Sequence, residues 1–329
     1  MGNENYYVYC KGILGVKTNL HDFKWVYGSV APMCSSDEYD QCKVKLCVYA
    51  KPEKELPECM SCDQQFQAYK WNQEQKTLFY RRTMFSCLKL GYNIKFADNQ
   101  VEVWVGKNYL KFVQQRIMNL HGMYYLLSDL ANMMLLKNGL LTLYASSVYF
   151  SEQKRGLACF APPNTGKTLT VTKLCERPDY DFVGEDIVIT DGEKMFACPW
   201  TSSYRKKASK FDTAGSMQRV NNANVENVCE NCDLTDLIVL YSGEKNITSD
   251  KNEFLHKASI LNGYLFNYYS SPIIKILGYF DGEYSDEWNE QAKEMLKKMV
   301  NTCHCHLIGA GDPLEFSKLI HSVVLGEKL

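Results

Sequence analysis

The sequence predicts an α/β protein of two domains, in which a domain with a mixed sheet follows a smaller, mainly antiparallel β domain. Short runs rich in aromatic and β-branched residues dominate the first part of the chain. Beyond them, strand-like runs alternate with helical patterns, and a Gly-Lys-Thr sequence lies between one strand and the next helix. We expect residues 1–125 to form a β-rich accessory domain and residues 126–329 to form a P-loop nucleotide-binding domain.

Composition limits the classes of function. The 329 residues are enough for two domains, and 46% hydrophobic and 23% charged residues are ordinary for a globular protein. The net charge of −1 argues against a protein that binds nucleic acid chiefly by electrostatic attraction. The opening MGNENYYVYC has no basic segment before an apolar run, and no stretch has the ~18 apolar residues of a membrane span. We expect a cytoplasmic protein with no nucleic-acid or membrane partner.

Five runs with strand-like composition predict the β-rich domain. They are YYVYC, KVKLCVYA, TLFYRRTMF, YNIKFAD and VEVWVG. Turn-rich segments such as KPEKELPE separate them, which favours antiparallel pairing. The following segment, Tyr109–Gly139, has apolar residues at helical spacing and ends in Asn-Gly. It predicts one interrupted helix or two, with the domain junction within or just before it.

Alternating strand and helix patterns predict the second domain. Strands are expected at LLTLYASSVYF, LACFAP, DFVGEDIVIT, EKMFACPW, DLIVLYSG and HCHLIGAG. Helices are expected from Lys167 to Arg177 and in the final DPLEFSKLIHSVVL. The first two strands form a hairpin ahead of the Gly-Lys-Thr sequence, and the whole pattern is typical of an α/β domain of about 200 residues.

The segment APPNTGKT, Ala161–Thr168, matches the phosphate-loop pattern G-x-x-x-x-G-K-[ST] at every position but the first. In such a loop, backbone N–H groups surround a phosphate and the next helix directs its positive end at it. The lysine reaches the β and γ phosphates, and the threonine hydroxyl binds magnesium. Alanine can begin the turn if its φ is negative. The predicted nucleotide-binding residues are Pro163, Asn164, Thr165, Gly166, Lys167 and Thr168.

Two acidic residues, Glu185 and Asp186, interrupt the apolar run FVGEDIVIT downstream of the loop. Carboxylates are costly to bury, so we expect them to emerge at a strand end, where a magnesium ion or a substrate proton compensates their charge. A solvated turn is the other interpretation.

The run LLTLYASSVYF, the turn after it, GLACFAPPNTGKTLTVTKL and then DFVGEDIVIT resemble the HPr kinase/phosphorylase-related kinases and, more distantly, phosphoenolpyruvate carboxykinase. The resemblance covers Leu140 to Ile189 and, more loosely, the rest to the C-terminus. It implies a P-loop domain of HPr kinase/phosphoenolpyruvate carboxykinase type, in which Lys167 and Thr168 bind nucleotide phosphates and magnesium. It also implies that Glu185 is the general base towards a serine hydroxyl and that Asp186 holds the metal.

The chain departs from the family pattern at three positions. Ala161 replaces the first loop glycine, Glu185 belongs to a pair that is usually Asp-Asp, and Tyr144 occupies the place of a common histidine. The glycine-rich signature of the bifunctional enzyme is not found, so the resemblance implies a kinase without full phosphorylase activity. The implied cofactors are ATP, with GTP as the alternative, and Mg²⁺. Relatives assemble into oligomers, so a homo-oligomer is one expectation.

A basic run beside serines occupies Thr201–Lys210. It is either a solvated loop or a surface that steers phosphates or an acidic acceptor, and Arg205 is the candidate substrate contact. His121, His256 and His321 lie in helical patterns and are interpreted as surface or core residues rather than ligands.

The cysteines are interpreted as thiols rather than as a metal or disulfide framework. Fourteen cysteines without a secretory signal predict reduced thiols. Cys59/Cys62 and Cys229/Cys232 have the spacing of zinc ligands, but the two pairs fall in different predicted domains. In the run Cys303–His306, alternation along a strand would point the cysteines one way and the histidines the other.

Three functions remain open from the sequence. The leading prediction is a Mg-ATP-dependent kinase that transfers the γ-phosphate to a Ser or Thr hydroxyl of a protein or peptide. The alternatives are a non-catalytic nucleotide-binding module that senses ATP or GTP, and a small-molecule phosphotransferase. Nucleotide hydrolysis and phosphate transfer separate the first two, and the class of acceptor separates the third.

Overall fold

The structure is a computed structural model that describes residues 4–21, 26–28, 31–114, 122–199, 203–206, 218–221, 227–267, 271–282 and 287–327. The chain divides into two compact units. The first comprises Met1–Gly139 and Tyr269–Gln291, and the second comprises Leu140–Tyr268 and Ala292–Leu329. Each unit is built on a mixed β-sheet, which agrees with the α/β class predicted from the sequence.

The strands in the described part of the chain range from three residues to twelve. They are β1 (Asn5–Cys10), β2 (Leu14–Thr18), β3 (Val44–Lys51), β4 (Gln64–Phe66), β5 (Tyr69–Asn72), β6 (Thr77–Met84), β7 (Leu88–Phe96), β8 (Gln100–Gly106), β9 (Leu141–Leu143), β10 (Ser146–Phe150), β11 (Arg155–Phe160), β12 (Tyr180–Gly184), β13 (Val188–Thr190), β14 (Lys194–Phe196), β15 (Ser203–Lys206), β16 (Gln218–Asn221), β17 (Asn231–Ser242), β18 (Asn246–Thr248) and β19 (His304–Ala310).

The α-helices vary from one turn to four turns. They are α1 (Ser36–Asp40), α2 (Lys107–Gln114), α3 (Met123–Lys137), α4 (Lys167–Cys175), α5 (Lys251–Asn262), α6 (Tyr264–Asn267), α7 (Ile273–Phe280), α8 (Glu287–Thr302) and α9 (Pro313–Leu325). Among the residues that the structure describes, no helix is both long enough and apolar enough to cross a membrane.

The sheet of the first unit has the order β1-β2-β3-β8-β7-β6-β5-β4. Its pairs β2–β3 and β3–β8 are parallel, and its other neighbours are antiparallel. The five predicted runs correspond to β1, β3, β6, β7 and β8. Strands β2, β4 and β5 are not predicted from the sequence, because they are short and depend on pairing with a longer neighbour.

In the described part of the helical segment before the second sheet, residues 107–114 form α2 and residues 123–137 form α3. Nearly all of α3 is buried, including Leu126, Leu130 and Met134. It packs against β3, β8 and α7, and residues 126–139 therefore belong to the first unit rather than the second.

The sheet of the second unit has the order β12-β10-β11-β17-β14-β13-β9, with β19 on β17 and β18 on β19. Strands β11, β17 and β19 are parallel. Alternate residues of β11 face opposite sides of the sheet. Cys159 lies in the core formed with α4 and α9, and Phe160 packs edge-on against Phe254 of α5. Helices therefore cover both faces of the three parallel strands, of which β11 leads into the Gly-Lys-Thr loop.

Two of the expected strands are each divided in the structure. LLTLYASSVYF forms β9 and β10, which lie far apart in the strand order, and the chain leaves one for the other at Tyr144–Ala145. DFVGEDIVIT likewise forms β12 and β13, with Glu185 directly after β12. The expectation of continuous strands is wrong because each run crosses between separate positions in the sheet. The expectation that the acidic pair emerges at a strand end is confirmed.

A buried ion pair ties the start of β11 to β17 and α9. Arg155 Nε donates to Asp236 Oδ2 at 2.9 Å, and Arg155 Nη1 donates to the carbonyl of Val324 at 2.7 Å. Burial acts to raise the pKa of Asp236, but the nearby imidazole of His306 and hydrogen bonds from Arg155 and Thr235 outweigh it and hold the pKa at about 2. The Asp236 carboxylate is therefore ionised, and its pair with Arg155 stabilises the sheet at the edge opposite the loop.

Candidate functional site

The loop between β11 and α4 contains two residues with positive φ. Strand β11 ends at Phe160 and α4 begins at Lys167. In between, Asn164 has φ 66° and Gly166 has φ 107°. Thr165 N–H donates to the carbonyl of Pro162 at 3.3 Å. Residues with positive φ among residues with negative φ turn successive N–H groups to one side, at the positive end of the helix.

Ala161 has a structural explanation. It is completely buried and belongs to the core that contains Val171 and Leu174 of α4. Its φ is not among the positive values of the described residues, so the backbone there does not need glycine. The alanine methyl instead packs β11 against the helix that carries the loop lysine. The backbone at Ala161 therefore allows an alanine, as the sequence analysis requires for this position.

Lys167 holds a buried positive charge at the first position of α4. Its Nζ lies 3.5 Å from Asp186 Oδ1 and 3.5 Å from the centroid of the Tyr144 ring. Nζ is inaccessible to solvent, and no described residue accepts a hydrogen bond from it. Burial lowers the pKa of Lys167, and the carboxylates of Asp186 and Glu185 oppose this effect. A buried ammonium held by one partly exposed carboxylate and a ring has unused donors for an anion.

Asn262 of α5 fixes the backbone of Tyr144, the residue whose ring contacts Lys167. Tyr144 N–H donates to Asn262 Oδ1 at 2.8 Å, and Asn262 Nδ2 donates to the carbonyl of Thr142 at 3.4 Å. Asn262 is the last residue of α5 and is buried. Its side chain bonds to backbone groups at the end of β9. These buried groups would otherwise lack a hydrogen-bond partner, because the chain leaves the sheet there.

Glu185 lies against the start of α4. Thr168 Oγ1 donates a hydrogen bond to Glu185 Oε1, and Ser146 Oγ donates one to the Glu185 backbone carbonyl. Glu185 is buried, with 3% of its surface exposed. The chain turns sharply here, since a Cβ on Gly184 would lie 2.5 Å from the carbonyl oxygen of Ile187. This tight turn brings both carboxylates of the pair next to the loop.

The structure brings together the central residues that the sequence singled out. Lys167 and Asp186 form one contact, and Thr168 and Glu185 form another. The sequence-based roles instead group Thr168 with Asp186 as metal ligands. Arg205 lies in the β15–β16 hairpin, which is a separate two-stranded sheet, and most of the basic run around it falls outside the described residues.

Sequence reasoning missed the roles of Asn262 and Ser146, and it noted Tyr144 only as a departure from a family pattern. Asn262 is 118 residues from Tyr144 along the chain, and nothing in the sequence of α5 marks it. The one available signal is the small and polar Ala-Ser-Ser after Tyr144, which breaks an otherwise apolar run.

The other sequence candidates do not form a metal site in the described part of the chain, where no group of three or more His, Cys, Asp or Glu side chains converges. Cys59 and Cys62 lie close enough for a disulfide, with their Cα atoms 5.9 Å apart, and reduced thiols at this pair stay a prediction. The alternation in Cys303–His306 is as expected, since Cys303 and Cys305 are buried and His304 is exposed.

The candidate histidines have the predicted surroundings. His256 is exposed on α5, and His321 on α9 lies 3.0 Å from the Tyr180 hydroxyl. Both positions are those of ordinary surface or packing residues. His121 lies outside the described residues.

Comparison with known proteins adds little to this geometry. No protein-family model matches the chain, and no curated protein matches it. Among solved structures, the chain is similar to the Hpr(Ser) kinase/phosphatase from Coxiella burnetii, with 10% identity and a TM-score of 0.29. The similarity covers 56% of this chain and 97% of that chain. A TM-score this low carries no argument about function.

Proposed function

We propose that the second unit is a Mg-ATP-dependent kinase that transfers the γ-phosphate to a Ser or Thr hydroxyl of a protein or peptide. The buried Lys167 ammonium at the start of α4 is the observation that carries the proposal. Burying a cation without a full set of acceptors is costly, and such groups are common at functional sites. A phosphate would supply the missing acceptors, and the positive φ of Gly166 allows the backbone to approach it closely.

The residues beside Lys167 suit a bound magnesium ion. Mg²⁺ takes oxygen ligands, commonly one or two carboxylates together with substrate phosphates. The Thr168 hydroxyl and the carboxylates of Glu185 and Asp186 provide such oxygens at one end of α4. When bound, magnesium would neutralise charge on the β and γ phosphates. We assign it to Thr168 and Asp186.

Glu185 would act as the proton acceptor. The N–H groups of Asn164 to Lys167 would hold the β-phosphate, and Lys167 would bind the transferred γ-phosphate after leaving Asp186. A substrate hydroxyl in line with the γ-phosphate would then pass its proton to the Glu185 carboxylate as the new P–O bond forms and the bond to the β-phosphate oxygen breaks. Glu185 is buried, so little water competes for its carboxylate. Arg205 is proposed as a contact for the acceptor.

A second candidate is a nucleotide-binding module without catalysis. The hydrogen bond from Thr168 to Glu185 favours it, because a carboxylate that already accepts from the loop hydroxyl is less available to a substrate proton. This module would bind ATP or GTP through the same lysine and loop. The two candidates therefore agree on binding and differ only in transfer.

A transfer assay separates the two candidates. The protein is incubated with ATP labelled at the γ-phosphate, Mg²⁺ and a degenerate mixture of Ser- and Thr-containing peptides, and ATP binding is measured in parallel by calorimetry. We expect Lys167→Ala to lose binding. Glu185→Gln should retain binding but lose transfer by a factor on the order of 10² or more, the usual contribution of a general base.

Glu176→Gln is the matched control for Glu185→Gln. Glu176 is at the end of α4, and its exposed pair with Lys173 contributes little stability. Equal transfer by Glu185→Gln and the wild type would remove Glu185 from the base role. ATP binding without label on any peptide would favour the module, and label on a small alcohol instead of the peptides would indicate a small-molecule phosphotransferase.

A further inference from the structure

The first unit contains a cavity of about 660 Å³ between one face of its sheet and the segment 53–59. Its floor comes from β4 to β7, where Lys70, Phe79, Arg81 and Lys89 share one face by strand alternation and pairing. Small-molecule sites usually measure about 300–1,000 Å³. The cavity is therefore large enough for a small-molecule ligand, and every residue that lines it belongs to the first unit.

The lining is strongly cationic. Lys54, Lys70 and Lys89 are exposed and make no ion pair within the described residues. The lining carboxylate of Glu53 is already engaged, because its Oε1 accepts from the backbone amides at the start of α2. Glu58 is the other acidic lining residue. Unpaired positive charge therefore dominates the cavity.

Arg81 links the sheet to the segment 53–59 that covers the cavity. Its Nη1 donates to the carbonyls of Tyr80 at 2.8 Å and Tyr92 at 3.0 Å, and its Nη2 donates to the carbonyl of Pro57 at 2.6 Å. Gly91 makes room for this crossing, since a Cβ there would lie 2.9 Å from Arg81 Cδ. The guanidinium thus fixes the covering segment to the sheet before any ligand binds, which reduces the ordering cost of binding.

We propose that this cavity binds a small polyanion, a molecule with several phosphate or carboxylate groups. Lysine ammonium groups around a concave, preformed surface raise the local concentration of anions and neutralise them on contact. The volume of the cavity suits a small molecule better than an acidic protein segment. This site is separate from the proposed nucleotide site and requires no activity there.

Cys87 provides a local measurement, because it lines the cavity and is an exposed free thiol. Its alkylation by neutral iodoacetamide is followed by mass spectrometry, with tripolyphosphate, with citrate and with neither. Cys229, a half-buried free thiol in the second unit, is the internal control. We expect at least one polyanion to slow alkylation of Cys87 several-fold without affecting Cys229. Slowing by only one of them identifies phosphate or carboxylate as the recognised group.

Three variants locate the effect. In Lys70→Glu/Lys89→Glu, the polyanion concentration that gives half-maximal protection of Cys87 should rise about tenfold or more. In Lys43→Glu/Lys245→Glu, which reverses the charge of two exposed lysines elsewhere, it should not change. Lys167→Ala should retain protection. Absence of protection by both polyanions, or equal loss in the two charge-reversed variants, would overturn the proposal. Loss in Lys167→Ala would move the anion to the phosphate loop and also overturn it.

Discussion

Lys167 Nζ lies 3.5 Å from the centroid of the Tyr144 ring, inside a buried site. A cation over an aromatic face is stabilised by about 2 kcal/mol when both are desolvated. The contact therefore accounts for part of the stability of a lysine that has a single carboxylate partner, Asp186, at 3.5 Å.

Loss of the Tyr144 ring should destabilise the second unit. We expect Tyr144→Leu to lower the free energy of unfolding by about 2 kcal/mol or more, because both the cation–ring contact and buried packing are lost. Tyr144→Phe keeps the ring and should cost less. Urea unfolding measures both. In a Lys167→Met background the Tyr144→Leu cost should be smaller, and an equal cost in both backgrounds would show that the ring does not stabilise the ammonium.

The loop conformation depends on Gly166. Its φ of 107° is strained for any residue with a Cβ, so Gly166→Ala should cost about 1–3 kcal/mol in stability or distort the loop. Nucleotide affinity should fall in either case. Gly122→Ala is the matched control, because Gly122 has φ −59° and the nearest described atom to the new Cβ is in the Tyr125 ring at 3.5 Å. Calorimetric titration with MgATP that finds equal affinity in both variants would rule out a binding role for this backbone.

Variants of Asp186 and Glu185 should differ in how their rate of phosphate transfer depends on the Mg²⁺ concentration. If Asp186 holds the ion with Thr168, Asp186→Asn raises the Mg²⁺ concentration that gives half-maximal transfer, whereas Glu185→Gln lowers the rate at every Mg²⁺ concentration. Phosphate transfer measured across a Mg²⁺ series tests this. The opposite pattern would exchange the two roles, as the Thr168–Glu185 hydrogen bond allows.

Asp129 should make the first unit less stable as the pH rises. Burial raises the pKa of Asp129 to about 7, although Ser271 N–H and Oγ donate to its Oδ2 at 2.6 and 2.7 Å. The unfolded-state pKa is about 3.9. A raised folded-state pKa contributes stability that is complete below the unfolded value and is lost as pH rises through the folded one, here between pH ~4 and ~7.

Asp129→Asn removes this titration. The variant should lose less stability than the wild type between pH 5 and pH 8 when both are unfolded in urea. Asp98→Asn, at an exposed turn, should follow the wild type. A parallel pH dependence in wild type and Asp129→Asn would contradict a raised pKa at Asp129.

Local patterns predicted the parts of the site that lie close together in the sequence. Strand β11, the loop and α4 follow one another along the chain, so composition and spacing were enough to locate Lys167 and Thr168. The exit of Glu185 from β12 was predictable too, because a carboxylate in an apolar run must reach a partner or solvent.

Contacts between distant residues decided the rest. The break at Tyr144 depends on Asn262, and the grouping of α3 with the first unit depends on surfaces of β3, β8 and α7. Neither partner is marked in the sequence.

Thermal unfolding with and without MgATP tests whether Lys167 binds a nucleotide phosphate. A ligand at about a hundred times its dissociation constant adds about 2.7 kcal/mol of stability. We predict an upward shift in the wild type and in Lys173→Ala, an exposed lysine of the same helix, and none in Lys167→Ala. GTP is tested in parallel to find which of the two nucleotides the protein prefers. No shift with either nucleotide, or an equal shift in Lys167→Ala, would contradict the account.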